Sequence, residues 1–166
     1  MSSQEKRQPQ AAGSDRVRPI RESIHWQARA RHGNGPAVLV VRVDQAAELL
    51  QAHGKAAGEQ LMLAVTSALQ RRLRPHDRLA LVRDDEFLLV LGGVTPQTVR
   101  RIEHRVAEAV RSLHLSMGGR MWALTCSIGM ACAPEGRFPM PSVQTLVREA
   151  DADLHRVIAQ QARRQA

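Results

Sequence analysis

The fold is predicted mainly from one stretch of the sequence, RPHDRLALVRDDEFLLVLGG (Arg74–Gly93). Its first apolar run contains Leu79, Leu81 and Val82, and a short charged segment separates this run from a second one that begins at Phe87. Two apolar runs around a short polar turn predict a β-hairpin. The second run is unbroken, which is typical of a strand that is buried on both faces.

The turn of this hairpin carries three consecutive carboxylates, Asp84, Asp85 and Glu86, next to Arg83. Carboxylates this close together repel one another unless a cation or a basic side chain lies among them. One interpretation is a vestigial cation site, and the other is a structural charge cluster in which Arg83 and Arg42 pair with the acids. We favour the charge cluster, because the neighbouring sequence supplies no further oxygen ligands for a hard cation.

A second polar pattern lies just before the hairpin, where Arg74 and Asp77 flank Pro75 and His76. Pro75 disfavours helical geometry at Arg74, so a helix is expected to end here. A surface Arg–Asp pair of this kind usually contributes less than about 1 kcal/mol to stability. The same two side chains are also suited to a nucleotide, because a guanidinium grips phosphate through its planar fork and a carboxylate accepts from a base.

The remaining elements predict an α/β fold, a two-layer sandwich with a mostly antiparallel central sheet flanked by helices. Asp44 is expected to cap a short helix that follows the first strand. The predicted elements are a strand at 37–43, a short helix to about 52, a helix at 57–73, the hairpin, a helix at 96–113, a strand at 121–132 and a last helix from about 142.

Composition limits the classes of protein that this chain can be. It has 166 residues, 43% of them apolar, which suits one domain with a tail. The net charge of +8 implies an anionic partner: a nucleic acid, a membrane surface or a phosphate ligand. No apolar run is long enough to span a bilayer and no signal sequence is evident, so we expect a cytoplasmic protein whose two cysteines, Cys126 and Cys132, are unbridged thiols.

The composition of the first 35 residues indicates where the folded domain begins. Residues 1–15 have the composition of a disordered basic tail, 16–35 are predicted to form a basic lead-in helix, and 36–166 form the domain. Seven basic and three acidic residues between 1 and 32 place +4 of the net charge in this first fifth of the chain.

Several motifs in the right order make residues 36–158 similar to the GGDEF (diguanylate cyclase) family. The Arg-x-x-Asp pair at Arg74 and Asp77 matches the inhibitory-site motif of the family, and the turn that ends in Glu86 and Phe87 matches its catalytic motif. The weaker matches are the turn His53–Glu59, the strand segment Ser127–Gly129 and the helix segment Ala150–His155. The resemblance implies the nucleotide-cyclase-like sheet of this family.

The resemblance also implies that the chain is a degenerate member that does not catalyse cyclic di-GMP synthesis and needs no cofactor or metal. The catalytic motif reads Arg83-Asp84-Asp85-Glu86-Phe87, with both family glycines replaced. Glu59 retains only the carboxylate of a family aspartate. Positions that hold metal, guanine and phosphates in the family are occupied here by Arg42, Leu50, Ile158 and Ala162.

The retained motif predicts a cyclic di-GMP receptor. In the family this site is completed by an arginine on the helix after the hairpin, which matches Arg105, with Arg101 as the second choice, and His76 lies inside the motif. The ligand is expected as a stacked dimer that relays its signal to an unknown protein partner or bridges two copies of the chain, with nucleic acid not expected as a main partner. The alternative is a ligand-independent basic module of the same fold that binds protein or nucleic acid.

Overall fold

The computed structural model describes residues 34–136 and 139–165. The predicted tail at 1–15 and almost all of the predicted helix at 16–35 lie outside this range. The elements are β1 (Gly35–Val43), α1 (Ala46–His53), α2 (Lys55–Gln70), β2 (Arg78–Arg83), β3 (Glu86–Val94), α3 (Pro96–Arg111), β4 (His114–Met117), β5 (Arg120–Ala123), β6 (Cys126–Cys132) and α4 (Val143–Gln165).

A four-stranded sheet in the order β2-β3-β1-β6 forms the centre of the domain. Each neighbouring pair in this sheet is antiparallel, as the apolar pattern predicts. β1 pairs on both sides, so that Val40 lies opposite Leu88 of β3 and opposite Gly129 of β6. Every residue of β1 is buried apart from Arg42, which is partly exposed at its carboxyl end.

Helices cover both faces of this sheet. Side chains at alternate positions of a strand point to opposite faces, and here Leu39 and Val41 pack in the cluster that contains residues of α1, α2 and α3. Val38 and Val40 pack in a second cluster with Leu146 and other residues of α4. The predicted α/β class with an antiparallel sheet flanked by helices is confirmed, but the layers number three rather than two, because β1 and β3 are apolar on both faces.

The predicted strand at 121–132 is wrong in one respect, because it is two strands. β5 pairs only with β4 in a separate hairpin, whose turn is made by Gly118 and Gly119 with φ of 59° and 74°. β6 begins after Thr125, whose backbone N–H donates to Gln45 Oε1 (2.8 Å) and whose hydroxyl donates to Asp44 Oδ2 (2.6 Å). These bonds turn the chain out of the hairpin and into the central sheet.

Two helix ends also differ from the sequence prediction. Asp44 does not cap α1, since its carboxylate accepts from the hydroxyls of Thr125 and Ser127 and the residue before the helix is Gln45. α2 begins at Lys55 and ends at Gln70, so three residues of turn separate it from Arg74. The start of α4 was predicted correctly at about residue 142, where Ser142 Oγ accepts from the backbone N–H of Thr145 (3.1 Å).

No helix in the described ranges, 34–136 and 139–165, is long and apolar enough to cross a membrane.

Gly129 is the point of closest approach between the sheet and α4. A Cβ atom on Gly129 would clash with the carbonyl oxygen of Ala150 and with the backbone nitrogen of Leu154. These are backbone atoms of a helix, so they cannot rotate away as the end of a long side chain can. The absence of a side chain at this position therefore allows α4 to pack directly on β6.

We expect Gly129→Ala to lower the free energy of unfolding by about 2 kcal/mol or more, because the added methyl group overpacks a helix–sheet contact. Urea unfolding measures this change. The matched control is Gly58→Ala, where the new Cβ would meet only the flexible end of Leu50 at 3.2 Å. In the interior of α2 that substitution should be neutral or stabilising. Equal effects of the two substitutions would contradict the close-packing account.

Candidate functional site

The residues Arg74–Asp77 form a tight turn between α2 and β2. The backbone N–H of Asp77 donates to the carbonyl oxygen of Arg74 (3.0 Å), and Asp77 Oδ2 accepts from the backbone N–H of Arg74 (2.9 Å). The guanidinium of Arg78 donates to the carbonyl oxygens of Pro75 and Asp77, both at 3.3 Å. No pattern in the sequence distinguishes Arg78 from the other arginines, so its role in closing this turn was not predicted.

Asp77 is unusual for a surface turn because it is only 9% exposed. Its Oδ1 is buried and has no hydrogen-bond partner among the described residues. The nearest charged or chargeable group is Nε2 of His76, 3.9 Å away, which is beyond hydrogen-bond distance. A buried carboxylate oxygen without a donor is costly unless a ligand or water supplies one.

The basic side chains near this turn are exposed. In the described part of the chain, neither hydrogen bonds nor ion pairs engage the guanidinium groups of Arg74, Arg101 and Arg105. Arg101 and Arg105 lie one helical turn apart on α3. The structure therefore places three predicted ligand contacts on one short turn and two on a separate helix.

The topology brings the turn and the start of α3 to the same end of the sheet. Arg78, the first residue of β2, pairs with Val90 of β3, and β3 ends four residues later. α3 starts almost at once, with Thr95 Oγ1 accepting from the backbone N–H of Thr98 and Pro96 in the first turn. α3 also packs against α2, whose end precedes the turn. A ligand at the turn would thus approach the first half of α3, where Arg101 lies.

The charged turn between β2 and β3 is a cluster of ion pairs. Arg83 donates from Nη1 to both carboxylate oxygens of Glu86, at 3.2 and 3.0 Å. Arg42 Nε lies 3.5 Å from Asp85 Oδ2, as the sequence predicted for a structural charge cluster. The backbone N–H of Val43 also donates to the carbonyl oxygen of Asp85 (2.9 Å), which fixes the turn to the end of β1.

The five residues of this motif do not all belong to a turn. Only Asp84 and Asp85 are turn residues, whereas Arg83 ends β2 and Glu86 begins β3. Phe87 is fully buried in the core, so it is a packing residue and not a ligand contact. Of the three carboxylates, Asp84 alone has no salt bridge among the residues that the structure describes.

Other positions suggested by the sequence fall in different surroundings. Leu50 is 41% exposed on α1, near Glu59, which forms a 3.8 Å ion pair with Lys55. On the opposite face of the sheet, Ile158 packs against the second core cluster and Ala162 is exposed on α4.

The cysteines supply no reactive thiolate. Cys126 and Cys132 are free and lie at the two ends of β6. Burial raises the pKa of the Cys126 thiol to about 12, and the nearby Asp44 carboxylate adds to the rise. Burial also raises the pKa of Cys132. Both thiols therefore remain protonated at neutral pH, and a thiolate is the form that attacks substrates or binds metals.

The sequence profile described as "Diguanylate cyclase, GGDEF domain" matches residues 21–164, most of the chain. The chain belongs to the GGDEF domain family. It is 24% identical over 139 residues to the diguanylate cyclase DgcP of Pseudomonas aeruginosa, an alignment that covers 82% of this chain and 20% of that protein. The chain thus spans about a fifth of this relative's length.

Solved structures agree with this assignment. The diguanylate cyclase SiaD of Pseudomonas aeruginosa, in complex with its activator SiaC, superposes with a TM-score of 0.68 at 26% identity, covering 78% of this chain and 48% of SiaD. The GGDEF domain of DgcB from Caulobacter crescentus, in complex with c-di-GMP, superposes with a TM-score of 0.65 at 22% identity, covering 74% and 71%. The GGDEF fold predicted from the motifs is confirmed.

The dual bonding of Asp77 generates a stability prediction for this GGDEF domain. Asp77→Asn keeps an oxygen that accepts from the Arg74 N–H, whereas Asp77→Ala removes it. We therefore expect Asp77→Asn to stay within about 0.5 kcal/mol of the parent in urea unfolding and Asp77→Ala to cost about 1 kcal/mol more, as for other side chains that cap a backbone N–H. If Asp77→Asn destabilises as much as Asp77→Ala, the carboxylate has a structural role that the turn geometry does not explain.

Proposed function

We propose that the chain is a non-catalytic cyclic di-GMP receptor that binds the dinucleotide at the Arg74–Asp77 turn. The observation that carries this function is that Arg74, whose side chain is exposed, and Asp77, whose Oδ1 has no donor among the described residues, belong to one tight turn. The turn therefore carries one acceptor and one planar donor fork. Guanine and phosphate together supply the complementary groups.

The chemistry of recognition follows from the groups that the ligand carries. The N1–H and amino group of guanine donate to Asp77, while Arg74 donates to a phosphate or to the O6 and N7 atoms of the base. His76 is exposed, with Nε2 3.9 Å from Asp77 Oδ1, and we expect it to contact the base. Arg105 or Arg101 completes the site from α3, and the net charge of +8 favours a dianionic ligand.

The opposite end of β2 argues against turnover. Synthesis of cyclic di-GMP needs divalent cations that neutralise the triphosphate of GTP, and such cations prefer oxygen ligands. At the position that holds a metal-binding aspartate in the family, Arg42 instead pairs with Asp85, and Arg83 holds Glu86. Leu50 offers no hydrogen bond to a base, and Ile158 is packed against the core.

Two of the similar solved structures contain a bound ligand or a bound protein. DgcB is a GGDEF domain in complex with c-di-GMP, and SiaD is in complex with a protein activator. For this chain we infer that ligand at the turn, bound as a stacked dimer, changes contact with a protein partner or bridges two copies of the domain. The exposed turn and α3 provide that surface.

We expect cyclic di-GMP to bind the full chain, and Arg74→Ala to weaken binding by one to two orders of magnitude, as for loss of a charge-assisted hydrogen bond of roughly 1.5–3 kcal/mol. Asp77→Asn should weaken it comparably, because it replaces the free acceptor with a donor while it keeps the turn. Calorimetric titration measures both affinities. The matched control is Arg72→Ala, a neighbouring exposed arginine outside the turn, which should change affinity much less.

If Arg74→Ala keeps its fold and binds cyclic di-GMP with unchanged affinity, the Arg74–Asp77 turn is not the binding site. Tight binding of duplex DNA without any binding of cyclic di-GMP would instead favour the basic interaction module, whose charge is concentrated in residues 1–32. In that case the affinity should fall steeply with salt, since nucleic-acid binding releases counterions.

We also expect incubation with GTP and Mg²⁺ to yield no cyclic di-GMP, measured by chromatography against a heat-inactivated control. Arg42→Asp alone should not restore synthesis, because the contacts to base and phosphate remain absent. Product above the control from the parent chain would overturn the non-catalytic part of the proposed function without affecting ligand binding at Arg74.

A further inference from the structure

A cavity of about 650 Å³ lies between α1, α2 and the β2–β3 turn. Its wall is mostly apolar and includes Leu50, Leu61, Met62 and Leu81. Cavities of roughly 300–1,000 Å³ with an apolar wall and a few polar groups are typical of small-molecule sites. Asp77 and Asp84 lie just beyond the two ends of β2, so this cavity and the Arg74–Asp77 turn are roughly 20 Å apart.

The cavity is also lined by four charged residues, which we call its rim: Lys55, Glu59, Asp84 and Asp85. Lys55 and Glu59 neutralise each other across a 3.8 Å pair. Asp85 is neutralised by Arg42, which lies outside the cavity. Asp84 is exposed and has no ionic partner in the described ranges, so the rim carries one uncompensated negative charge.

The wall near α1 and α2 also limits the chemistry of a ligand. Leu50 reaches toward Gly58, since a Cβ on Gly58 would lie 3.2 Å from Leu50 Cδ1. Leu50, Met62 and Leu81 can neither donate nor accept a strong hydrogen bond, so the polar edge of a base would lose its water contacts there without replacement. A triphosphate would meet an acidic rim, and among the described residues no group of three His, Cys, Asp or Glu side chains could hold a metal to bridge them.

We propose that this cavity binds a small organic cation with an apolar body, with the body against Leu50, Met62 and Leu81 and the ammonium or guanidinium group beside Asp84. This site is separate from the cyclic di-GMP turn and does not depend on the function proposed there. The apolar body supplies affinity through burial, and the charge of Asp84 selects cations over anions of the same shape.

Tryptamine and indole-3-propionate form a suitable probe pair, because they share an indole body and carry opposite charges. The full chain, with ¹³C-labelled methionine methyl groups, is titrated with each compound, and the shift of the Met62 methyl resonance is followed. We expect a saturable shift with tryptamine and binding at least about tenfold weaker with indole-3-propionate. Met121, which is 58% exposed on β5 and does not line the cavity, serves as the internal control.

Two variants test whether tryptamine binds in this cavity. Asp84→Asn should weaken tryptamine binding about threefold to fivefold, as expected for an ion pair at an exposed position, and Glu108→Gln on α3 should not change it. Ala47→Phe adds a ring to the cavity from an exposed helix position and should abolish the saturable shift while the fold is retained.

The inference is overturned if neither probe gives a saturable Met62 shift, if both bind equally, or if Asp84→Asn leaves the preference for tryptamine intact. Stronger binding of GTP with Mg²⁺ than of tryptamine at Met62 would also overturn it. Cyclic di-GMP affinity is measured on Ala47→Phe as well, and it should remain that of the parent chain, because the turn lies at the other end of β2.

Discussion

The central strand β1 pairs with a strand on each side, and this pairing positions the other elements of the domain. β1 is hydrogen-bonded to β3 on one side and to β6 on the other, and its two faces lie in two different apolar clusters. Its end fixes the β2–β3 turn through the bond from the Val43 N–H to the Asp85 carbonyl. β2 then starts at the opposite end of the sheet, which is where the Arg74–Asp77 turn must lie.

The two ends of β2 differ in how their charges are satisfied. At one end Arg42 and Arg83 pair with the carboxylates of Asp85 and Glu86, so these two side chains are not free to share a divalent cation. At the other end Asp77 keeps one buried oxygen without a partner. The carboxylates of Asp85 and Glu86 are therefore paired within the chain, whereas that of Asp77 is paired only in part. This contrast is the physical argument for the receptor function that we propose.

The sequence could predict those features that depend on local pattern. The unbroken apolar runs at Val38–Val41 and Phe87–Leu91 indicated the sheet, and Pro75 indicated that a helix ends before this point. The β4–β5 hairpin was missed, because its strands are four residues long and Leu124 continues their apolar character toward β6. The bonds of Thr125 to Asp44 and Gln45 separate the strands, and such contacts between residues 80 apart leave no local signal.

The features of the candidate site also depend on contacts between residues that are far apart in the chain, so the sequence alone could not predict them. No sequence pattern indicates that Asp77 is buried or that Arg78 closes the turn, because both depend on how α2 and β2 meet. The cavity beside Leu50 likewise arises where the consecutive helices α1 and α2 meet the β2–β3 turn, which lies further along the chain. By contrast, the pairing of Arg42 with the acidic turn was predictable, since opposite charges at the end of a strand and in an adjacent turn attract.

The place where cyclic di-GMP binds on the domain can be mapped by NMR. Backbone amide shifts of the ¹⁵N-labelled chain are recorded during titration with the dinucleotide. We expect the largest shifts at residues 74–78 and on α3 around Arg101 and Arg105. Shifts centred instead on Leu50, Gly58 and Asp84, or no saturable shifts at all, would contradict this expectation.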